Sequence, residues 1–112
     1  MAILKPVQLV AGDTWARAWA LTDANDTPID LTGASARLHV RDKDGLLVMS
    51  ADTTDGRLTI SANTISLIMP ATVTAPIVAG AYRYATEVSF SDATVRTIEI
   101  NTLSVQADLT HD

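Results

Sequence analysis

The stretch ASARLHVR, residues 34–41, decides the fold of this chain. Its even positions are apolar and its odd positions are polar or charged, which is the alternation of a strand with one buried face. The turn DKDG at residues 42–45 follows at once. Asp-Gly favours a tight hairpin because it tolerates the positive φ values that such a turn requires. The pattern therefore predicts an antiparallel hairpin whose second strand covers residues 46–50.

On the N-terminal side, the polar segment DANDTPIDLTG, residues 23–33, joins this strand to a second alternating segment at residues 14–22. Trp15, Arg17 and Trp19 share one face of that segment, and alanines occupy the other face. Either face could be the buried one. We place both indole rings in the core between two sheets, with Arg17 reaching the rim. In the alternative interpretation the face is covered by a partner, because Trp and Arg are enriched at interface hot spots.

The remaining segments also alternate with period two, and none shows a sustained apolar period of 3.6 residues. Pro6 confines the first strand, residues 3–10, to a sheet edge or splits it. In the last strand, residues 94–105, the apolar positions change from even to odd. This change predicts a β-bulge near Asn101 and Thr102, or a strand that passes from one sheet to the other.

Together these patterns predict an all-β fold, an immunoglobulin-like β-sandwich of about 7–9 antiparallel strands. One short helical turn is expected near residues 70–78, where Pro76 stops a helix. The chain of 112 residues has the length of one domain, so we assign residues 1–112 to a single sandwich. Residues 1–10 are expected to form an edge strand or an N-terminal arm, and residues 106–112 a polar C-terminal tail.

The composition argues against several classes of function. The chain has no cysteine, so it can form neither a disulfide nor a thiolate metal site. The net charge of −5 and the scattered basic residues argue against a nucleic-acid partner, since phosphate backbones are bound by clustered Lys and Arg. The N-terminus lacks the pattern of a secretory signal, and no apolar run is long enough to span a membrane. We therefore expect a soluble protein, made in the cytoplasm, without a membrane partner.

The side chains that commonly perform catalysis or hold metals occur without the partners they need. The two histidines, His39 and His111, offer no pair for a metal ion. Two acidic turns lack the downstream Glu that completes a calcium loop, and ordinary hairpin chemistry explains them. No Ser lies in a Gly-x-Ser-x-Gly motif, and we place Glu87 and Glu99 on outward strand faces. We expect no enzymatic activity, no cofactor and no metal.

A small basic stripe lies on the polar face of the central strand. Arg37, His39 and Arg41 share this face, which is either solvated or part of a binding surface. The other candidates for an interface are Pro6 in the edge strand and the face that carries Trp15 and Arg17. The candidate interface residues are Pro6, Trp15, Arg17, Arg37, His39 and Arg41.

A series of turn motifs runs through the chain. It consists of GDT at residues 12–14, the polar turn at 23–26, PIDLTG at 28–33, RD at 41–42 and AGAY at 79–82. In this order they resemble small virion proteins of tailed bacteriophages, in particular the N-terminal immunoglobulin-like domain of upper baseplate proteins and related tail or fibre modules. The resemblance covers roughly residues 10–106. Since the motifs are structural turns, the resemblance implies no active-site residues.

The resemblance implies a virion structural protein that is made in the bacterial host cytoplasm. Its role would be that of a non-enzymatic assembly or adaptor module of the tail, baseplate or neck, or of a capsid-decorating protein. Other virion proteins would be its partners, with many copies in a symmetric assembly. Relatives of this kind continue into helical or fibre regions, whereas this sequence ends at Asp112, so attachment through the domain surface is expected.

The alternative function is a carbohydrate- or cell-surface-binding module of a phage adhesion device. Its stacking residues would be Trp15, Trp19, Tyr82 and Tyr84. The two functions differ in what they require of these rings. An exposed aromatic strip favours sugar binding, and buried rings exclude it.

Overall fold

A computed structural model describes residues 7–109 of the chain. These residues form eight β-strands and one short helix. The strands are β1 (Val7–Val10), β2 (Trp15–Ala20), β3 (Ser35–Arg41), β4 (Leu47–Asp52), β5 (Leu58–Ser61), β6 (Thr64–Met69), β7 (Gly80–Ser89) and β8 (Val95–Gln106), and the helix is α1 (Ala71–Thr74).

The strands form two sheets packed face to face, so the predicted immunoglobulin-like β-sandwich is confirmed. One sheet has five strands in the order β1-β8-β7-β3-β4, and the other has three in the order β2-β6-β5. The expectation of purely antiparallel pairing is wrong for β1, which lies at a sheet edge and runs parallel to β8, with Val7 opposite Leu103. These two strands come from opposite ends of the described chain, so no hairpin imposes the antiparallel direction.

The alternation in β3 places its apolar side chains in the core between the sheets. Leu38 and Val40 have no exposed surface, and neighbouring strands cover β3 on both sides. From the other sheet, Trp15 meets Tyr84 of β7 edge to face, with ring centroids 5.3 Å apart. Burying a side chain such as Leu38 or Val40 contributes about 1.5–3 kcal/mol to the stability of the fold. The period of two therefore determines which face of β3 packs against the other sheet. The other buried apolar residues are Leu9, Ala11, Leu21, Leu31, Ala36, Met49, Ala51, Leu58, Ile65, Leu67, Met69, Val88, Leu103 and Val105.

A β-bulge interrupts β8 three residues before the predicted position. Thr86 of β7 lies opposite Glu99, but the next residue, Glu87, lies opposite Thr97, so Ile98 has no opposite residue. Ile98 packs against the core, and the next side chain, that of Glu99, also points into the sandwich. The bulge therefore explains the change of phase, and it turns Ile100 outward, where 52% of its surface is exposed.

The corner before β3 is built from side chains that bond to their own backbone. The Asp23 carboxylate accepts hydrogen bonds from the backbone N–H groups of Asn25 and Thr27. The hydroxyl and the backbone N–H of Thr32 both donate to Asp30, and they hold the pKa of that carboxyl below its ordinary value. These acidic residues therefore stabilise turns, which is the ordinary hairpin chemistry expected of them.

The short helix near residues 70–78 is confirmed as α1. Thr74, at its end, has no exposed surface. Its hydroxyl donates to the Asp13 carbonyl at 2.7 Å and accepts from the backbone N–H of Gly12 at 3.1 Å. It thereby ties the helix to the turn between β1 and β2.

Within residues 7–109, no helix is long or apolar enough to cross a membrane.

Replacing Leu38 should test whether β3 forms the centre of the core. We expect Leu38→Ala to lower the free energy of unfolding by about 2–5 kcal/mol, because the fully buried side chain leaves a cavity. The matched control is Leu46→Ala in the β3–β4 turn, where 65% of the residue is exposed and a change within about 0.5 kcal/mol is expected. Urea denaturation measures both values, and equal losses would contradict the assignment.

Candidate functional site

The side chains of β3, β7 and β8 that point away from the core form one continuous surface. Strand pairing aligns them in rows: Arg41 lies opposite Arg83, and His39 lies opposite Ala85, which in turn lies opposite Ile100. The predicted basic stripe on β3 thus gains neighbours from two further strands. We call this surface the outer face and define it by Arg37, His39, Arg41, Arg83, Ala85, Glu87 and Ile100.

The outer face contains a shallow depression of about 290 Å³. The small side chain of Ala85 lies between those of His39 and Ile100, so the surface is lowest there. Arg41 and Arg83 border the depression toward the β3–β4 turn. The depression therefore combines an apolar floor with a basic border.

The two ends of the outer face differ in charge. At one end, Arg37 and Glu87 form an exposed ion pair, with Nη2 and Oε1 2.7 Å apart. At the other end, Arg41 donates from Nη1 to the carbonyl oxygen of Gly45, which is neutral. Among residues 7–109, neither Arg41 nor Arg83 takes part in an ion pair. The described residues therefore have an ion pair at one end of the outer face and two arginines without an ion pair at the other.

The nearest acidic residue in sequence forms no ion pair with Arg41 or Arg83 among residues 7–109. Asp42 directly follows Arg41, but its carboxylate accepts hydrogen bonds from the backbone N–H groups of Asp44 and Leu46. Arg41 and Arg83 are paired in register on adjacent strands, and like charges in such pairs are destabilising. Although the chain has a net charge of −5, these two arginines lie side by side on one exposed face.

The other candidate face, that of β2, points into the sandwich. Trp15 has only 4% of its surface exposed, so the hypothesis that it forms part of an interface is wrong, and the preferred core assignment is confirmed. Trp19 is partly buried and packs against the core. The opposite face of β2 consists of Ala16, Ala18 and Ala20, and all three are exposed. The alanine face lies outside because the indole rings fill the space between the sheets.

Glu99 is the centre of a partly buried hydrogen-bond cluster, contrary to the prediction that it faces outward. Its carboxylate lies 2.6 Å from Nη2 of Arg17, and the exposed fractions of the Glu99 and Arg17 side chains are 13% and 28%. It also accepts hydrogen bonds from Nε1 of Trp19 at 3.1 Å and from the hydroxyl of Tyr84 at 2.7 Å. The prediction failed because the bulge at Ile98 turns Glu99 to the inner side of β8.

This cluster, Arg17, Trp19, Tyr84 and Glu99, connects the two sheets. The Arg17 guanidinium also lies over the rings of Trp19 and Tyr84, at 5.6 and 6.0 Å from the ring centroids. Burial, and after it the hydrogen bond to Glu99 and the charge of that carboxylate, raise the pKa of Tyr84 well above its ordinary value. Arg17 is therefore engaged inside the fold, and the structure gives it a structural role.

Two residues of these sites were missed or misplaced by sequence reasoning. Arg83 alternates to the outer side of β7, but only the pairing of β3 with β7 places it opposite Arg41. The phase change in β8 indicated a bulge, yet a shift of three residues was enough to misplace Glu99.

Pro6 lies outside the described residues, as does His111. Within residues 7–109 no group of three or more His, Cys, Asp or Glu side chains is placed to hold a metal ion.

Comparisons with known proteins support the fold and go no further. No protein-family model and no curated protein matches the chain. Among solved structures, CopC from Methylosinus trichosporium OB3b superposes with a TM-score of 0.54 at 13% identity, covering 96% of this chain and 89% of that chain. Extracellular domains 3–5 of Drosophila OTK give a TM-score of 0.42 at 18% identity, covering 91% of this chain and 33% of that chain. At such low identity the likeness to CopC shows a shared fold alone.

Neutralising Glu99 should destabilise the fold much more than neutralising the exposed Glu87. We expect Glu99→Gln to lower the free energy of unfolding by about 1–3 kcal/mol, because it leaves the partly buried Arg17 without a counter-charge. Glu87→Gln, the matched control, should cost less than about 0.5 kcal/mol, since 61% of the Arg37 side chain is exposed. Urea denaturation gives both values. Equal losses would show that the inner ion pair contributes no more than the outer one.

The raised pKa of Tyr84 makes the stability of the fold depend on pH in the alkaline range. Because the folded-state pKa is raised, the unfolded chain releases the phenol proton first as the pH rises, and this favours unfolding. The free energy of unfolding should therefore decline above about pH 10, and the decline should be smaller in Tyr84→Phe. Urea titrations at a series of alkaline pH values measure this slope. The same slope in both proteins would contradict the assignment.

Proposed function

We propose that this chain is a non-enzymatic structural module of a tailed-phage virion, which binds neighbouring virion proteins through the outer face. Two independent observations support the proposal. The turn motifs resemble those of phage upper baseplate, tail and fibre modules. In addition, two arginines lie opposed on the outer face and form no ion pair among residues 7–109, and this second observation carries the choice of the outer face as the binding surface.

The mechanism of such a module is binding by a preformed surface. The outer face lies on hydrogen-bonded strands of the five-stranded sheet, so a partner meets a backbone that is already in position. The cost of ordering the backbone at the interface is therefore small. In a symmetric particle many copies would bind at once, and weak individual contacts would then suffice for assembly.

The burial of the aromatic rings disfavours the carbohydrate-binding alternative. Trp15 and Tyr84 are buried in the core, with 4% and 2% of their surface exposed. Trp19 is partly buried and donates its indole N–H to Glu99. Tyr82 is also partly buried, and its hydroxyl donates to a backbone carbonyl 2.6 Å away. The four rings do not form the exposed strip that stacking on a sugar requires.

Purified particles should contain the chain if it is a virion component. We expect mass spectrometry of gradient-purified phage particles, induced from the bacterium that encodes the chain, to detect its peptides in a constant ratio to the main capsid protein. An abundant host cytoplasmic protein serves as the control for contamination. Recovery of the chain only from the soluble lysate, with particles present, would contradict the proposal.

A further inference from the structure

We propose that the depression over Ala85 binds a protein segment that presents an Asp or Glu carboxylate next to an apolar side chain. The carboxylate would lie between Arg41 and Arg83, and the apolar group would lie against Ala85 and Ile100. This inference rests on the proposed function in so far as it takes the segment to belong to a neighbouring virion protein.

The opposed arginines provide the first argument. Arg41 and Arg83 repel one another, and no carboxylate within residues 7–109 forms an ion pair with either of them. A carboxylate placed between them would replace the repulsion with two attractive contacts. The guanidinium fork matches the two carboxylate oxygens, and such charge-assisted hydrogen bonds are roughly twice as strong as neutral ones.

The apolar surface beside the arginines provides the second argument. Ile100 borders the depression with 52% of its surface exposed, and Leu47, opposite Arg41 on β4, is 48% exposed. A partner that offered only charge would leave both side chains in water. Interfaces combine an apolar centre with Arg, so an acidic residue flanked by an apolar one complements this surface best.

The charge distribution excludes a polyanion as the preferred partner. A nucleic acid needs a continuous row of basic residues for its successive phosphates. Arg37, at the opposite end of the outer face, already forms an ion pair with Glu87 and interrupts such a row. The chain as a whole has a charge of −5 and repels polyanions. The depression of about 290 Å³ is also at the lower limit of sizes known for small-molecule pockets, which suits a side chain.

The ion pair at the far end also gives the bound segment a direction. A second carboxylate placed near Glu87 would meet an arginine that is already paired, whereas one placed near Arg41 and Arg83 would meet two arginines that form no ion pair among residues 7–109. The segment should therefore hold its acidic residue at the end of the outer face nearest the β3–β4 turn. A neutral or basic residue is expected at the other end.

A random 12-residue peptide display library tests the site without knowledge of the natural partner. The wild-type chain and the control Arg96→Gln should both select peptides in which Asp or Glu adjoins Leu, Ile or Val. Arg96 is an exposed arginine of β8 outside the outer face, so its replacement matches the loss of one positive charge in the single variant Arg83→Gln. The double variant Arg41→Gln/Arg83→Gln should lose this selection.

The selected peptide is then measured against each variant by NMR titration. We expect Arg83→Gln alone to weaken its affinity about tenfold or more, since one charge-assisted contact is lost, and added salt to weaken binding to the wild type. The urea midpoint of Arg83→Gln should at the same time rise above that of the wild type, because the repulsion from Arg41 is removed. A lower midpoint would overturn the argument from repulsion.

Other outcomes overturn the proposal directly. These are the absence of a shared acidic-apolar motif, a motif that the double variant still selects, and preferred binding of a duplex DNA oligonucleotide at physiological salt. A dimer in light scattering that the double variant abolishes would replace the proposed segment with a second copy of the chain. If acidic peptides bind but the chain is missing from purified particles, the peptide site is supported and the virion function is contradicted. Failure of the site and failure of the virion function are therefore distinguishable.

Discussion

The position of one extra residue in β8 shapes both the hydrogen-bond cluster between the sheets and one border of the outer face. Ile98 has no opposite residue on β7, so the side chains after it change sides relative to an uninterrupted strand. Glu99 consequently points between the sheets, where it accepts hydrogen bonds from Arg17, Trp19 and Tyr84. Ile100 consequently points outward and borders the depression on the outer face. The inner cluster and the apolar border of the outer face at Ile100 therefore depend on the same local irregularity.

The chain uses arginine in two physically different ways. Arg17 is partly buried, lies 2.6 Å from its carboxylate and covers two aromatic rings, so its charge is satisfied within the fold. Arg41 and Arg83 are exposed, opposed in register and form no ion pair among residues 7–109. The first arrangement stabilises the domain, whereas the second costs stability and leaves charge available to a partner. This difference is the reason for proposing a binding role for the outer face.

Most of the fold was predictable because each strand buries one face. The alternation of residues 34–41, the turns around them and the short helix before β7 all follow from local sequence. The sites were only partly predictable. The stripe of Arg37, His39 and Arg41 follows from the period of two, and the structure places these residues on one face. The inward position of Glu99 could not be derived, because a bulge can be moved by a few residues without altering the pattern of apolar letters.

The sequence by itself determined which side chains of each strand share a face, because covalent geometry makes neighbouring side chains alternate. Only the tertiary structure decided which strands distant in sequence are neighbours. Arg17 and Glu99 are 82 residues apart in sequence, and they meet because the two sheets close on a shared core. Arg41 meets Arg83 because β3 pairs with β7, and no local pattern specifies that pairing. Pairing depends on the burial of the whole core, which is a property of all the strands together.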